Sequence, residues 1–184
     1  LELLETITTE EMVDMCKNGD PAGFTGLYNR YAKEVYNSIY RLVGHTAEAE
    51  DVLQESFVAA FQAIGGYQHT GGFRAWVKRI AINKSVSLLR KKKVRMVELE
   101  PADGVNEEAP IDEHRFSFTV EKIQQALEQL PDPYRRVFQL YVIENIPQVE
   151  IAEMLGIANN TVRIQYHRAK QKILNLLKEN GYHG

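Results

Sequence analysis

The chain has 184 residues, of which 44% are hydrophobic and 26% charged, with a formal net charge of −3. This composition belongs to a folded globular protein and excludes collagen-like, mucin-like and wholly disordered chains. No apolar run approaches the roughly 20 residues that span a bilayer, no signal-peptide pattern opens the chain, and the single cysteine, Cys16, excludes an internal disulfide and suits a reducing cytoplasm.

Helical patterns follow one another along the chain. Thr8 with Glu11 three residues later is a capping-box signal for a short helix reaching Lys17. Asn18-Gly19 stops it, and Asp20 with Pro21 starts the next as N-cap and first helical residue. Phe24, Leu27, Tyr28, Tyr31 and Val35 share one face of that helix, and Gly44 ends it. Thr46 is expected to cap a third helix over residues 47–64, burying Val52, Leu53, Phe57, Ala60, Phe61 and Ile64. Residues 65–72 form a loop whose two glycine pairs permit backbone angles other residues avoid. A long helix is predicted over 73–93, with Phe73, Val77, Ile80 and Leu88 on its apolar face.

Residues 94–117 lose periodicity and hold Pro101, Gly104 and Pro110, as a flexible linker does. Four helices then follow, over 119–130, 133–144, 148–155 and 160–180, with Asp132-Pro133 opening one, Gly156 closing another and Asn159 capping the last. No strand-period pattern competes. The expected fold class is therefore all-α: two small helical domains, residues 1–93 and 118–184, joined by the acidic linker 94–117.

Charge is distributed unevenly along this frame. Residues 1–73 carry 4 Lys/Arg against 11 Asp/Glu, whereas 74–95 carry nine cations and no acid. Residues 96–115 return to seven acids against Arg115 alone, and 154–178 hold five basic residues and no acid. Two acid-free cationic stretches on helical patterns read as two polyanion contacts. In the first, Arg79, Asn83 and Arg90 fall within about 40° on a helical wheel, with Lys78, Lys84 and Lys91 nearby and Trp76 at the edge. Cations follow a phosphate backbone and aromatic rings accept unstacked bases. Trp76 and the loop residue Tyr67 fit that role, and Trp76 fits core packing as well.

In the second, the run from Gln148 to Arg163 has helix-turn-helix spacing. Ala152 is small where a second helix approaches, Gly156 permits the turn, Ile157 fills the angle between helices, and Val162 packs back into the core. On the following helix Val162, Tyr166, Ala169, Ile173 and Leu176 share the inner side. Thr161, Arg163, Ile164, Gln165, His167 and Arg168 are the candidates for duplex readout: arginine and histidine reach base edges or phosphates, and Ile164 suits a thymine methyl.

The third helix bears Glu48, Asp51 and Glu55, with Gln54 between. Acid–base chemistry centred on Glu50, Asp51 and Glu55 lacks a partner histidine, a matching carboxylate helix or a phosphate-cradling loop. Spacing alone leaves a solvated face and a docking face for a basic partner both open. His45, His69, His114, His167 and His183 have no zinc-ligand spacing, and neither metal nor cofactor is expected.

Residues 49–57, AEDVLQESF, resemble the signature helix of bacterial sigma factors, and residues 73–83, FRAWVKRIAIN, resemble the basic helix of the same region. Leu130-Pro131, Tyr134-Arg135, Glu150-Ile151-Ala152, Thr161-Val162-Arg163 and Arg168-Ala169-Lys170 resemble the family's C-terminal DNA-binding region. With only these two regions, over residues 20–93 and 119–178, the chain is similar to the extracytoplasmic-function (ECF) group. The resemblance implies that the first domain binds the clamp-helix coiled coil of the RNA polymerase largest subunit through Asp51, Gln54 and Glu55, with Glu48 on the same face. It implies that the basic helix and its preceding loop recognise and open the −10 promoter element. The second domain would read the −35 element and touch the polymerase flap. An anti-sigma factor, often membrane-bound, is a further implied partner. Ile164, Gln165, Tyr166 and Asn160 depart from the family's usual recognition-helix residues and bear on the −35 preference. The resemblance implies a cytoplasmic, non-enzymatic protein; the alternative is a helix-turn-helix regulator that does not join polymerase.

Overall fold

The computed structural model describes residues 7–68, 70–95 and 120–179. The chain divides into two compact units, Leu1–Met96 and Val97–Gly184, each considered by itself. The predicted linker lies almost wholly outside the described residues, as does His69 of the loop. Every regular element among the described residues is helical.

The first unit contains α1 (Thr9–Lys17), α2 (Pro21–Val43), α3 (Thr46–Ala63) and α4 (Phe73–Arg95). Helix α1 begins with the expected capping box: the Thr8 hydroxyl accepts from the Glu11 N–H, and the Thr8 N–H donates to the Glu11 carboxylate at 2.7 Å. That bond holds the Glu11 carboxyl below its ordinary pKa. Asp20 caps α2 by accepting from Ala22 N–H, and Gly44 ends it in the left-handed region at φ 75°. The cap of α3 differs from expectation. Thr46 is its first helical residue, and the cap position falls to His45, which makes no side-chain capping bond.

Ile64–Gly66 continues α3 as a single 3-10 turn, so only the second glycine pair, Gly71 and Gly72, takes positive φ. The first pair, Gly65 and Gly66, lies within the turn and takes no positive φ.

All four helices converge on one core. Met12 and Val13 come from α1, Leu27, Val35 and Ile39 from α2, Val52 and Phe57 from α3, and Phe73, Val77 and Ala81 from α4. Each fully buried aliphatic or aromatic side chain contributes about 1.5–3 kcal/mol relative to exposure. Phe61, expected inside, is only half-buried and lies edge-on to Phe24 with ring centroids 4.9 Å apart. Buried Ser85 satisfies its hydroxyl by donating to the Ala81 carbonyl at 2.8 Å, one turn back.

The second unit contains α5 (Val120–Glu128), α6 (Asp132–Phe138), α7 (Gln148–Leu155) and α8 (Asn159–Glu179). Helix α6 runs into one π-helical turn, Gln139–Ile143, which the sequence spacing does not reveal. Asn145 then adopts φ 54°, a conformation asparagine tolerates better than most side chains. Helix α8 starts at Asn159 itself, one residue before the expected boundary, with Val162 N–H donating to the Ala158 carbonyl. Asn159 is therefore inside the helix. Leu127, Leu130, Ala169, Ile173 and Leu177 form the core that clamps α8 to α5, and Ile151, Ala152 and Val162 are buried at the turn.

Candidate nucleic-acid interface

Helix α4 has nine cations and no acid, and its inner residues fix where those cations emerge. Phe73, Val77, Ala81 and Leu89 are buried. The period of 3.6 then leaves Asn83, Arg90 and Lys91 exposed, with Lys78, Arg79 and Lys84 half-exposed. Neighbouring acids engage part of this set. Glu34 on α2 accepts from Arg74 and lies 3.6 Å from the Lys78 ammonium. The Glu34 bond raises the Arg74 pKa further. Lys84 pairs with Glu55 at 3.3 Å, and Lys92 pairs with Glu48.

The aromatic part of the site differs from its sequence picture. Tyr67 is on the loop, as expected, but its ring is buried, with only 7% exposure. It packs against Trp76 at 4.8 Å and stands edge-on to Phe73. Burial raises the phenol pKa. Trp76 is half-buried and packs on the core, so one part of its ring is structural and the rest faces out.

On α3, Asp51, Gln54 and Glu55 are exposed and Glu48 is half-exposed, which places all four on one outward stripe. Val58, one turn beyond Gln54, is 54% exposed and extends that stripe. Its apolar character next to a polar run is visible in the sequence.

In the second unit the turn is built as its spacing requires. Gly156 takes φ 66°, its N–H is bonded to the end of α7, and Ile157 N–H donates to the Ala152 carbonyl at 3.1 Å. This brings α8 across α7 with Val162 fully buried at the crossing. Arg163 is exposed, while Thr161, Ile164, Gln165, His167 and Arg168 are half-exposed. Arg168 donates to the Tyr134 hydroxyl at 3.3 Å, and Lys172 lies 5.9 Å over the Tyr134 ring. Tyr166 faces inward, edge-on to Tyr141 at 4.8 Å. Ala169 is buried on the same side, as the helical wheel places it.

No group of three His, Cys, Asp or Glu among the described residues is placed to hold a metal ion. None of the described helices is long and apolar enough to cross a membrane.

The two units thus each present a cationic helix on a small helical body, and the second is a helix-turn-helix. The first matches sigma-70 region 2 over residues 27–95, and the second matches sigma-70 region 4 over residues 120–173. The chain is 31% identical over 184 aligned residues to the ECF RNA polymerase sigma factor SigW of Bacillus subtilis (strain 168), covering 92% of this chain and 97% of that protein. It is 35% identical over 155 residues to the ECF RNA polymerase sigma factor SigE of Mycolicibacterium smegmatis, covering 82% of this chain and 60% of that longer protein. In fold it is similar to CnrH, solved in complex with the cytosolic domain of CnrY, with a TM-score of 0.52 and 24% identity over 92% of this chain and 97% of that one. It is also similar to the sigma factor RpoE of Bartonella quintana, solved with the anti-sigma factor NepR, with a TM-score of 0.51 and 22% identity over 84% and 96% of the two chains. The chain belongs to the ECF RNA polymerase sigma factors.

Proposed function

We propose that this protein joins core RNA polymerase through the α3 face and confers promoter-specific initiation on it. Helix α4 and the loop before it act at the −10 element, and α8 reads the −35 element. The observation that carries this reading is the joint presence of region 2 and region 4 in one chain, each with its cationic helix turned outward.

The division of labour follows from the chemistry of the side chains. Arg79, Lys84, Arg90 and Lys91 supply phosphate attraction, with counterion release as the driving force. Lys78 adds to it from its place beside Glu34. Asn83 is exposed and offers both a donor and an acceptor to an unstacked base. The outward part of Trp76 stacks on such a base, with Tyr67 supporting the ring from inside. Arg163, His167 and Gln165 address base edges in the major groove, Ile164 a thymine methyl, and Thr161 and Arg168 the phosphates. Glu48, Asp51, Gln54 and Glu55 meet a basic polymerase surface. The protein carries no catalytic step, works in the cytoplasm, and is held in check by an anti-sigma factor. Its likeness in fold to the sigma factor RpoE, solved with the anti-sigma factor NepR, and to CnrH, solved with CnrY, supports a fold that such a partner can bind.

Run-off transcription tests the proposal. Core polymerase alone is silent on a promoter fragment identified by sequencing transcript 5′ ends after overexpression. Adding the protein should yield one discrete product. A protein that binds that fragment but leaves core silent would be a regulator outside the holoenzyme.

A further inference from the structure

Helix α8 carries Arg168 and Lys172 one turn apart, on the same face. Both meet a single side chain of another helix, Tyr134 of α6, which lies 34 residues before Arg168. The Tyr134 ring is half-buried and packs against the core that contains Leu127, Leu130, Ala169 and Ile173. Its hydroxyl accepts from Arg168 Nη1 at 3.3 Å, and the Lys172 ammonium stands over its face, 5.9 Å from the centroid. No acid occurs between residues 154 and 178, so the recognition helix offers these cations no carboxylate of its own there. The acid nearest to Tyr134 along the chain, Asp132, pairs with Arg135 and Arg136 instead. Arg163, five residues before Arg168 and exposed, makes no polar side-chain contact among the described residues.

We propose that Tyr134 is a positioning residue for the DNA contact of α8: it sets Arg168 through its hydroxyl and Lys172 through its ring before the duplex arrives. This rests on the reading of α8 as the helix that meets the −35 element. The physical logic is that of an uncharged holder. A carboxylate would orient an arginine more firmly, but it would cancel the cation and repel the approaching phosphate. A phenol hydroxyl accepts one guanidinium N–H and leaves the charge in place. An aromatic ring attracts an ammonium through its quadrupole and likewise leaves the charge in place. Arginine and lysine side chains lose much rotamer freedom when they bind. Tyr134, already ordered by the core, removes part of that loss in advance, which raises affinity without adding a contact. The spacing of four residues on α8 brings both cations to one ring, so a single residue of α6 serves two contacts.

The first test uses holoenzyme assembled from the full chain and core polymerase, on the promoter fragment found by 5′-end sequencing. Tyr134→Phe removes only the hydroxyl and keeps the ring in the core. It should weaken promoter binding roughly three- to tenfold, and this loss should vanish in an Arg168→Ala background. In an Arg163→Ala background the loss should persist in full, because Tyr134 does not hold Arg163. Tyr134→Leu should weaken binding further, and the loss beyond that of Tyr134→Phe should vanish in a Lys172→Ala background. A merely structural tyrosine would give the same loss with and without Arg168. That result, or full affinity of Tyr134→Phe, overturns the positioning role. Wild-type affinity of Arg168→Ala overturns the reading of Arg168 as a DNA contact, and the proposal with it. The second test needs neither polymerase nor DNA. In the free full-length protein, NMR relaxation should show the Arg168 Nε–H order parameter falling in Tyr134→Phe, while the backbone amides of α8 keep theirs. An unchanged Arg168 value overturns the proposal, whatever the binding shows.

Discussion

Tyr67 and Trp76 pack ring against ring at 4.8 Å between centroids, inclined by 32°. Phe73 stands edge-on to both, at 6.1 Å and 5.8 Å. The loop before α4 is thereby tied to the helix it precedes. The residue that reads from sequence as an open base acceptor is a wedge that orients the tryptophan. Tyr67→Ala should destabilise the first unit by about 3 kcal/mol, the range of large aromatic truncations in a core. Trp76 is the only tryptophan, so its fluorescence reports unfolding of this unit alone. An unchanged midpoint would show that the ring contributes no packing.

The approach of α1 to α2 depends on Gly23. A Cβ there would meet the Met12 carbonyl oxygen at 2.7 Å and the Cys16 nitrogen at 2.9 Å, both backbone atoms. At Gly26 the Cβ would meet only the thioether end of Met12, which can swing away. Gly23→Ala is therefore expected to cost about 1–3 kcal/mol, and Gly26→Ala distinctly less. Gly65→Ala, with nothing within 4 Å of its Cβ, should be close to neutral. Equal losses at the three positions in urea denaturation would contradict this ordering.

Cys16 is 3% exposed in the α1–α2 contact. Burial, with the charge of Asp20 adding to it, pushes its thiol from 9.0 up to about 11. Below both values the native chain holds about a hundredfold less thiolate than the unfolded chain, since the two differ by about two units. Between pH 9 and about 11 the unfolded chain has lost the proton and the native chain keeps it, so stability falls as pH rises through that window. Iodoacetamide at pH 8 should label Cys16 slowly in native protein and quickly in urea. Rapid native labelling would place the thiol at the surface.

The two arginines on α8 should separate by phenotype. Arg163 is exposed and should relax discrimination within the −35 element when replaced by alanine, by roughly 1–3 kcal/mol per base pair read. Its folding stability should stay within about 0.5 kcal/mol of wild type. Arg168 is bonded to Tyr134, so Arg168→Ala should lower both DNA affinity and the stability of the second unit. Binding across a panel of mutated −35 duplexes, with thermal melts alongside, checks both. A stability loss for Arg163→Ala alone would invert the assignment.

Helical period, the Thr8 and Asp20 caps and the helix-turn-helix were legible because each is a local property, whereas Thr46 and Asn159, expected as caps, lie inside their helices. Thr8 with Glu11, Asp20 with Pro21, and Gly44 act on backbone groups within one turn, so composition and spacing alone specify them. The acid-free run on α4 and the outward positions on α8 were equally visible, since charge and helical phase are written in the residue order. Four outcomes needed the tertiary structure. The Tyr67 ring is buried because residues six and nine positions away complete an aromatic cluster around it. The π-helical turn at Gln139–Ile143 carries no mark in the spacing of its residues. Gly23 matters because another helix crosses it. The partnership of Lys84 with Glu55, 29 residues apart, exists only because antiparallel packing sets their helices side by side. Local sequence dictates which groups point outward from a helix; which of them meet is decided by the packing of one helix on another.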